Sequence, residues 1–154
     1  QSRIQLAKCY TRLRDASGAV EVLRALRQDE AGRENWVVVY ELGLAQCANN
    51  AFRPGQQSFA ELNGQIINRV ARENRAAVRA LAYFGKAYCG YQDMDSRTGS
   101  PSKDFLLALA DDFETFLNSA ERAQTDGSMS ASVKALLATT VTEGEGLRRK
   151  LPSP

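Results

Sequence analysis

Carboxylates are the side chains of this sequence with the most scope for acid–base chemistry, because the chain contains no histidine. Serine–histidine and cysteine–histidine sites need an imidazole that accepts a proton near neutral pH, so both kinds of nucleophilic site are excluded. The acidic pairs Asp29–Glu30 and Asp111–Asp112 fall in helical or helix-end contexts. Adjacent residues on a helix diverge by about 100°, so neither pair converges on one substrate. We therefore predict no catalytic residues and no enzyme.

The three cysteines, Cys9, Cys47 and Cys89, are odd in number and widely spaced. This usage fits a reducing compartment better than a disulfide scaffold, and we expect free cysteines that behave as small buried hydrophobes. Neither a CxxC pair nor a glycine-rich phosphate loop is present, so we predict no metal and no cofactor. The sequence has no signal-peptide pattern and no apolar run near the roughly 20 residues of a membrane span. We expect a cytoplasmic protein with no membrane partner.

Apolar residues recur at helical spacing along almost the whole chain, whereas no segment alternates convincingly with period two. The pattern predicts an all-α fold of about seven helices, organised as one helical domain over residues 1–150 with a linker or tail at 151–154. Asp15 or Ser17 is the expected cap of the second helix, and Ser100 or Ser102 that of the sixth. Helices are also predicted at about 2–13, 34–48, 56–73 and 76–91, and a last helix follows a break at 127–128.

A long polar connection is predicted between the fifth and sixth helices, over residues 92–102. Helix connections in compact folds usually span about two to eight residues, so this one is long. It is either a neutral insertion or a loop that contacts a partner and carries modification sites. The candidates for modification are Ser96, Thr98, Ser100 and Ser102.

A small cluster recurs three times, with an apolar residue, a small residue and, three positions later, an aromatic one. The spacings between successive copies are 36 and 42 residues, an interval typical of stacked helical hairpins. Gln46 replaces the aromatic in the second copy. The three copies are Leu6, Ala7 and Tyr10; Leu42, Gly43 and Gln46; and Phe84, Gly85 and Tyr88.

On these residues the chain resembles the tetratricopeptide-repeat (TPR) family. Further matches follow the first two copies, at Ala19 and Leu23 and at Gly55, Phe59 and Leu62. The repeats are longer than the family's usual 34 residues or so, and the proline that ends each consensus repeat is missing. The resemblance implies a right-handed stack of antiparallel helical hairpins, with the last helix as a solvating cap.

A concave groove lined by the first helix of each pair is what the resemblance implies for binding. The dicarboxylate clamp of chaperone-binding members is matched conservatively only at Arg79, so chaperone C-termini are not predicted ligands. Cys47 falls at a groove position of the second pair. The predicted partner-binding residues are Ile4, Lys8, Arg12, Tyr40, Leu44, Arg79, Ala82 and Lys86.

Four arginines, Arg69, Arg72, Arg75 and Arg79, would form a basic stripe if they shared one uninterrupted helix. Such a stripe could grip an acidic peptide or a phosphate backbone, or it could be an ordinary solvated face. The net charge of +2, from 20 basic and 18 acidic residues, argues against nucleic acid as the main partner.

Two functional hypotheses remain from the sequence. The first is a non-catalytic protein-interaction scaffold that receives a partner peptide or helix in the groove. The second is a regulatory helical-repeat module packed against other domains of a larger enzyme or signalling protein. The start at Gln1 without methionine and the proline-containing end suggest a piece of a longer chain, which favours the second hypothesis.

Overall fold

The computed structural model describes residues 2–12 and 14–154, and the chain in these ranges is helical throughout, with no strand. The all-α prediction is confirmed. Eight α-helices are present in the described ranges, one more than expected, because a single turn of helix (α3) lies between α2 and α4. The helices are α1 (Ser2–Arg12), α2 (Ala16–Gln28), α3 (Glu30–Arg33), α4 (Trp36–Ala48), α5 (Phe52–Gly64), α6 (Arg75–Ser96), α7 (Lys103–Asp126) and α8 (Ala131–Arg149).

Short polar side chains begin three of these helices. Asp15 accepts a hydrogen bond from the Gly18 amide at the start of α2, and Asn35 does the same for α4. Ser102 accepts from the amide of Phe105 at 3.1 Å and begins α7. Each satisfies a backbone donor that the first helical turn leaves free, so Asp15 and Ser102 are the caps among the predicted alternatives.

The fourth predicted helix, over residues 56–73, is wrong at both ends. The helix α5 begins at Phe52, and Pro54 lies within its first turn, where a proline costs no intrahelical hydrogen bond. After Gly64 the chain forms two 3-10 turns, Ile66–Arg69 and Arg72–Asn74. Arg75 holds this segment by donating from Nε to the Val70 carbonyl and from Nη2 to the Asn68 carbonyl.

The predicted 92–102 loop is also shorter than expected, because α6 continues to Ser96. The connection to α7 is therefore residues 97–102. Asp93 accepts two hydrogen bonds from Arg97, at 2.8 and 3.0 Å, and its carbonyl accepts one from Ser96. These contacts extend helical structure into a segment whose polar composition suggested a loop.

Consecutive helices pack in pairs, α1 with α2, α4 with α5, and α6 with α7, while α8 packs on α6 and α7. The largest hydrophobic cluster is shared by α4–α8 and the first 3-10 turn. A second cluster joins α1 and α2 to α4, and a third lies between α6 and α7. The helix α6 lies in the middle of the domain, in contact with α4, α5, α7 and α8.

Glycines at the recurring cluster allow an aromatic ring to lie directly on a helix backbone. A Cβ atom at Gly43 would meet the ring of Phe59 at 2.6 Å, and one at Gly85 would collide with the same ring from the other side. Phe59 of α5 is thus enclosed between α4 and α6. A Cβ at Gly144 would meet Phe116 of α7 at 2.5 Å, so the same arrangement recurs at α8.

Gln46, which replaces the aromatic of the second cluster, is one of the few buried polar residues among those described. Its Oε1 accepts a hydrogen bond of 2.7 Å from the hydroxyl of Ser58 on α5. The α4–α5 pair thus has a buried polar contact at the position that an aromatic side chain occupies in the other two copies.

The expectation of free cysteines is wrong for Cys47 and Cys89, which form a disulfide between α4 and α6. Both are fully buried, and Gly55 of α5 packs against the sulfur atoms. The sequence places them 42 residues apart, and only the packing of α4 on α6 brings them together. Cys9 belongs to α1, but its side chain lies outside the described ones.

Candidate functional site

One strip of α6 is left uncovered by the neighbouring helices. Arg79, Ala82, Tyr83 and Lys86 are spaced three or four residues apart, so they share one side of the helix. Arg79 and Lys86 are exposed, Tyr83 is half-buried, and Ala82 forms the floor. Three of these four, Arg79, Ala82 and Lys86, are predicted partner-binding residues, and the structure brings them together.

A groove of about 560 Å³ runs between α5 and α6 beside this strip. The buried ring of Phe59 lies at its base, and small residues on both helices leave the space open. Amide side chains from α5 form the rim opposite Lys86. The groove is lined by Gln56, Phe59, Ala60, Asn63, Gly64, Ala82, Tyr83 and Lys86.

A second groove of about 440 Å³ lies on the other side of the strip, between α6 and α7. Tyr83 lines both grooves, so its ring separates them. We call the strip together with the two grooves the α6 face. The second groove is lined by Ala76, Arg79, Tyr83, Ser119, Arg122, Ala123 and Asp126.

The charged side chains that line the α6 face are mostly basic. Three of the four, Arg79, Lys86 and Arg122, are positive, and Asp126 is the fourth. Lys86 forms an exposed ion pair with Asp112 at 3.4 Å. Among the described residues, neither Arg79 nor Arg122 forms an ion pair. Arg122 donates from Nε to the Asn118 carbonyl at 3.4 Å, which leaves its terminal Nη groups for a ligand.

The remaining predicted partner-binding residues lie elsewhere. Tyr40 is 2% exposed and packs edge-to-face on Phe59, so it is a core residue and not a surface one. Leu44 is half-buried and packs on the same core, and Cys47 is in the disulfide. Ile4 and Lys8 are half-buried on α1, and the side chain of Arg12 lies outside the described ones.

A polar cluster lies where α8 approaches α4, and its members are Tyr40, Glu41, Tyr88 and Glu143. Burial raises the pKa of the Tyr40 hydroxyl and of the Glu41 and Glu143 carboxyls above their ordinary values. The charge of Glu143 adds to the rise in the pKa of Glu41, and the charges of Glu41 and Glu143 add to that of Tyr40, while a hydrogen bond with Thr140 opposes the rise for Tyr40. Lys8 of α1 opposes the rise in the pKa of Glu41. Burial, and after it Glu143, also raises the pKa of Tyr88 on α6. The Tyr88 side of α6 is therefore covered by the polar cluster. Tyr88 lies about 200° around the helix from Lys86.

The four arginines of the predicted stripe do not share one helix. Arg69 and Arg72 belong to separate 3-10 turns, and α6 begins only at Arg75. Arg69 forms an exposed ion pair with Glu34 at 3.4 Å, and Arg75 is bonded to backbone carbonyls. Arg79 is the one member that lines the α6 face. The condition for a continuous stripe, one uninterrupted helix, is therefore not met.

The connection at residues 97–102 encloses a smaller cavity of about 280 Å³ with Met94 and Phe105. The guanidinium carbon of Arg97 lies 5.9 Å from the centre of the Phe105 ring, while its nitrogens bond Asp93. Of the predicted modification sites, Ser102 is the cap of α7 and Ser96 bonds the helix backbone. These contacts hold the connection in place.

Sequence reasoning missed Tyr83 and Arg122 as members of one surface. The signal for Tyr83 was present, since it follows Arg79 by four residues and precedes Lys86 by three. Arg122 had no such signal, because only the packing of α7 on α6 brings it to Arg79. Within the described ranges, no group of three acidic or cysteine side chains could hold a metal ion, and no helix there is long and apolar enough to cross a membrane.

No family model, curated protein or solved structure matches this chain.

Proposed function

We propose that the chain is a non-catalytic protein-interaction module that receives a peptide or helix of a partner on the α6 face. The observation that carries the proposal is that Tyr83 lies between two grooves, beside Arg79 and Arg122, which form no ion pair with the residues that the structure describes. Tyrosine and arginine are the residue types enriched at protein interfaces, because they combine apolar contact area with directional hydrogen bonds.

We further propose that the helix pairs form a right-handed, TPR-like stack. The recurrence of a large ring against a helical glycine, at Phe59 with Gly85 and at Phe116 with Gly144, supports this arrangement. In such a stack the concave side would be formed by α1, α4 and α6. Tyr40 of α4 is buried, and the polar cluster beneath α8 covers the Tyr88 side of α6. We therefore place the binding surface on the uncovered side of α6, which carries Lys86.

The cellular location is part of the proposal. A cytoplasmic location was expected from the cysteine count, but disulfides persist mainly in oxidising compartments. The Cys47–Cys89 pair therefore favours an oxidising compartment. Trapping free thiols in intact cells, followed by mass spectrometry of the Cys47 and Cys89 peptides, distinguishes the two locations.

The interaction is tested by affinity capture from the native cells with the wild-type chain and two charge-reversed variants. Arg79→Glu with Lys86→Glu changes the α6 face, and Arg24→Glu with Lys134→Glu changes exposed positions of α2 and α8. We expect a partner that the wild type and the second variant retain and the first loses, with equal helicity by circular dichroism. If every captured protein is retained by both variants, the α6 face is not the binding surface.

A further inference from the structure

The α6 face has the chemistry of a receptor for an extended acidic segment of another protein. We propose that such a segment, with one apolar side chain between its carboxylates, binds there. The inference rests on the proposed interaction function and specifies the class of partner. Its parts are an apolar cavity, an amide rim and a row of cations.

The groove between α5 and α6 supplies the apolar part. Phe59 closes its base, while Ala60 and Ala82 leave room that none of the described side chains fills. A volume of about 560 Å³ holds an aliphatic or aromatic side chain together with its backbone. An inserted side chain is removed from water, which provides the favourable term of an anchor residue.

Amides on α5 supply contacts for a peptide backbone. Gln56 and Asn63 line the same groove and are seven residues apart, so they lie about 10 Å apart along the helix axis. Gln56 already donates from Nε2 to the Lys86 carbonyl at 3.5 Å, so it offers its second N–H and its Oε1 to a peptide. The Asn63 amide offers donors and an acceptor, which match the carbonyl and N–H groups of an extended chain. A rim of this kind recognises backbone regardless of sequence, as strand-like binding requires.

Cations on α6 and α7 set the preference for acidic side chains. Lys86 and Arg79 are also seven residues, or about 10 Å, apart along α6, and Arg122 lies beyond Arg79 in the second groove. An extended chain advances about 3.3 Å per residue, so carboxylates about three residues apart reach Arg79 and Lys86. At Lys86 the ligand carboxylate exchanges with Asp112, whose ion pair with Lys86 is exposed. Arginine binds a carboxylate through two parallel hydrogen bonds. Neither Arg79 nor Arg122 forms an ion pair among the described residues, although Asp126 lines the same groove.

Nucleic acid is the other polyanion that a basic surface could bind. The α6 face includes Asp126, and Asp112 neutralises Lys86, whereas a phosphate backbone requires an uninterrupted series of cations. The whole chain carries a net charge of only +2. The observations therefore favour a segment with a few carboxylates and an apolar anchor.

The test uses the full chain and an array of short Gly/Ser peptides that carry two glutamates and one leucine at every relative spacing, with a twin array in which glutamine replaces glutamate. We expect the wild type to bind some glutamate peptides at least about tenfold more tightly than their glutamine twins, measured by fluorescence anisotropy. Arg79→Gln with Arg122→Gln should remove that preference. Arg24→Gln with Arg33→Gln, at exposed positions of α2 and α3, should leave it unchanged.

Equal binding of the twin peptides, or a preference that survives Arg79→Gln with Arg122→Gln, would overturn the acidic segment. Binding of a single-stranded RNA more tightly than any glutamate peptide, with an affinity that falls steeply as the salt concentration rises, would assign the α6 face to nucleic acid instead. A partner captured through the α6 face that contains no acidic segment would contradict this inference and leave the interaction function standing. The two proposals therefore fail under different results.

Discussion

Cys47 and Cys89 form a disulfide that joins α4 to α6, with their Cα atoms 5.1 Å apart and a separation of 42 positions in sequence. The bond lies beneath α5, since a Cβ atom at Gly55 would collide with the sulfur of Cys47. The same α5 forms one wall of the α5–α6 groove. The disulfide therefore fixes the spacing of the two helices on which that wall packs.

Reducing this disulfide should lower the free energy of unfolding by about 4 kcal/mol, because the cross-link restricts a long loop of the unfolded chain. The measurement is urea denaturation with and without a dithiol reductant. The control is the Cys47→Ala/Cys89→Ala variant, whose stability should be low and insensitive to the reductant. An equal response of the control and the wild type would show that the reductant acts elsewhere.

Two glycines of α8 should respond in opposite directions to alanine. Gly144→Ala places a methyl group about 2.5 Å from the Phe116 ring, and such overpacking costs about 1–3 kcal/mol. Gly146→Ala meets nothing within 4 Å and should stabilise the helix by about 0.5–1 kcal/mol. Thermal denaturation of the two variants gives both values, and destabilisation by both would mean that helix α8 packs differently.

On α6, Gly85→Leu should likewise lower the free energy of unfolding by about 1–3 kcal/mol, because its side chain would overlap the Phe59 ring. The same thermal denaturation measures this loss.

Most of the helices and two of their caps were predictable because they depend on local chemistry. Apolar spacing located most of the helices, and Asp15 and Ser102 were among the named caps. The prediction of a continuous helix between Gly64 and Arg75 was wrong. The conformation of this segment depends on the burial of isoleucines in the main core and on hydrogen bonds from Arg75 to backbone carbonyls. A helical apolar pattern does not distinguish an α-helix from successive 3-10 turns.

The site was only partly predictable, for a different reason. Arg79, Ala82 and Lys86 share a helix, and the register of the family resemblance predicted that they lie on one face. The burial of Tyr40 depends on contacts with α5 and α8. The position of Arg122 beside Arg79 likewise depends on how α7 packs. Such long-range contacts leave no signal in a single sequence.

The carboxyls beneath α8 should make stability depend on pH. The pKa of Glu41 and that of Glu143 are raised from 4.5, chiefly by burial, so the ionised forms disfavour the folded state. Their contribution to stability is complete below pH 4.5 and is lost as pH rises through the raised pKa values. Glu41→Gln should therefore be more stable than the wild type at neutral pH, by an excess that disappears below pH 4.5. Thermal denaturation across this range measures it.

Two further variants check the cause of that effect. Lys8→Met should enlarge the excess, because Lys8 is the cation that opposes the rise in the pKa of Glu41. Glu21→Gln, at an exposed position of α2, should show no such dependence. A pH profile for Glu21→Gln that matches the profile for Glu41→Gln would contradict the assignment to the carboxyls beneath α8.

Removing one partner of the buried hydrogen bond between Gln46 and Ser58 should lower the free energy of unfolding. Ser58→Ala leaves the Gln46 amide buried without its 2.7 Å partner, which costs about 1–3 kcal/mol. Adding Gln46→Leu to Ser58→Ala removes the unsatisfied amide and should restore most of the lost stability, since apolar residues surround the site. Urea denaturation of the single and double variants measures the coupling between the two residues. Additive losses in the double variant would mean that packing volume, and not the hydrogen bond, determines stability at this position.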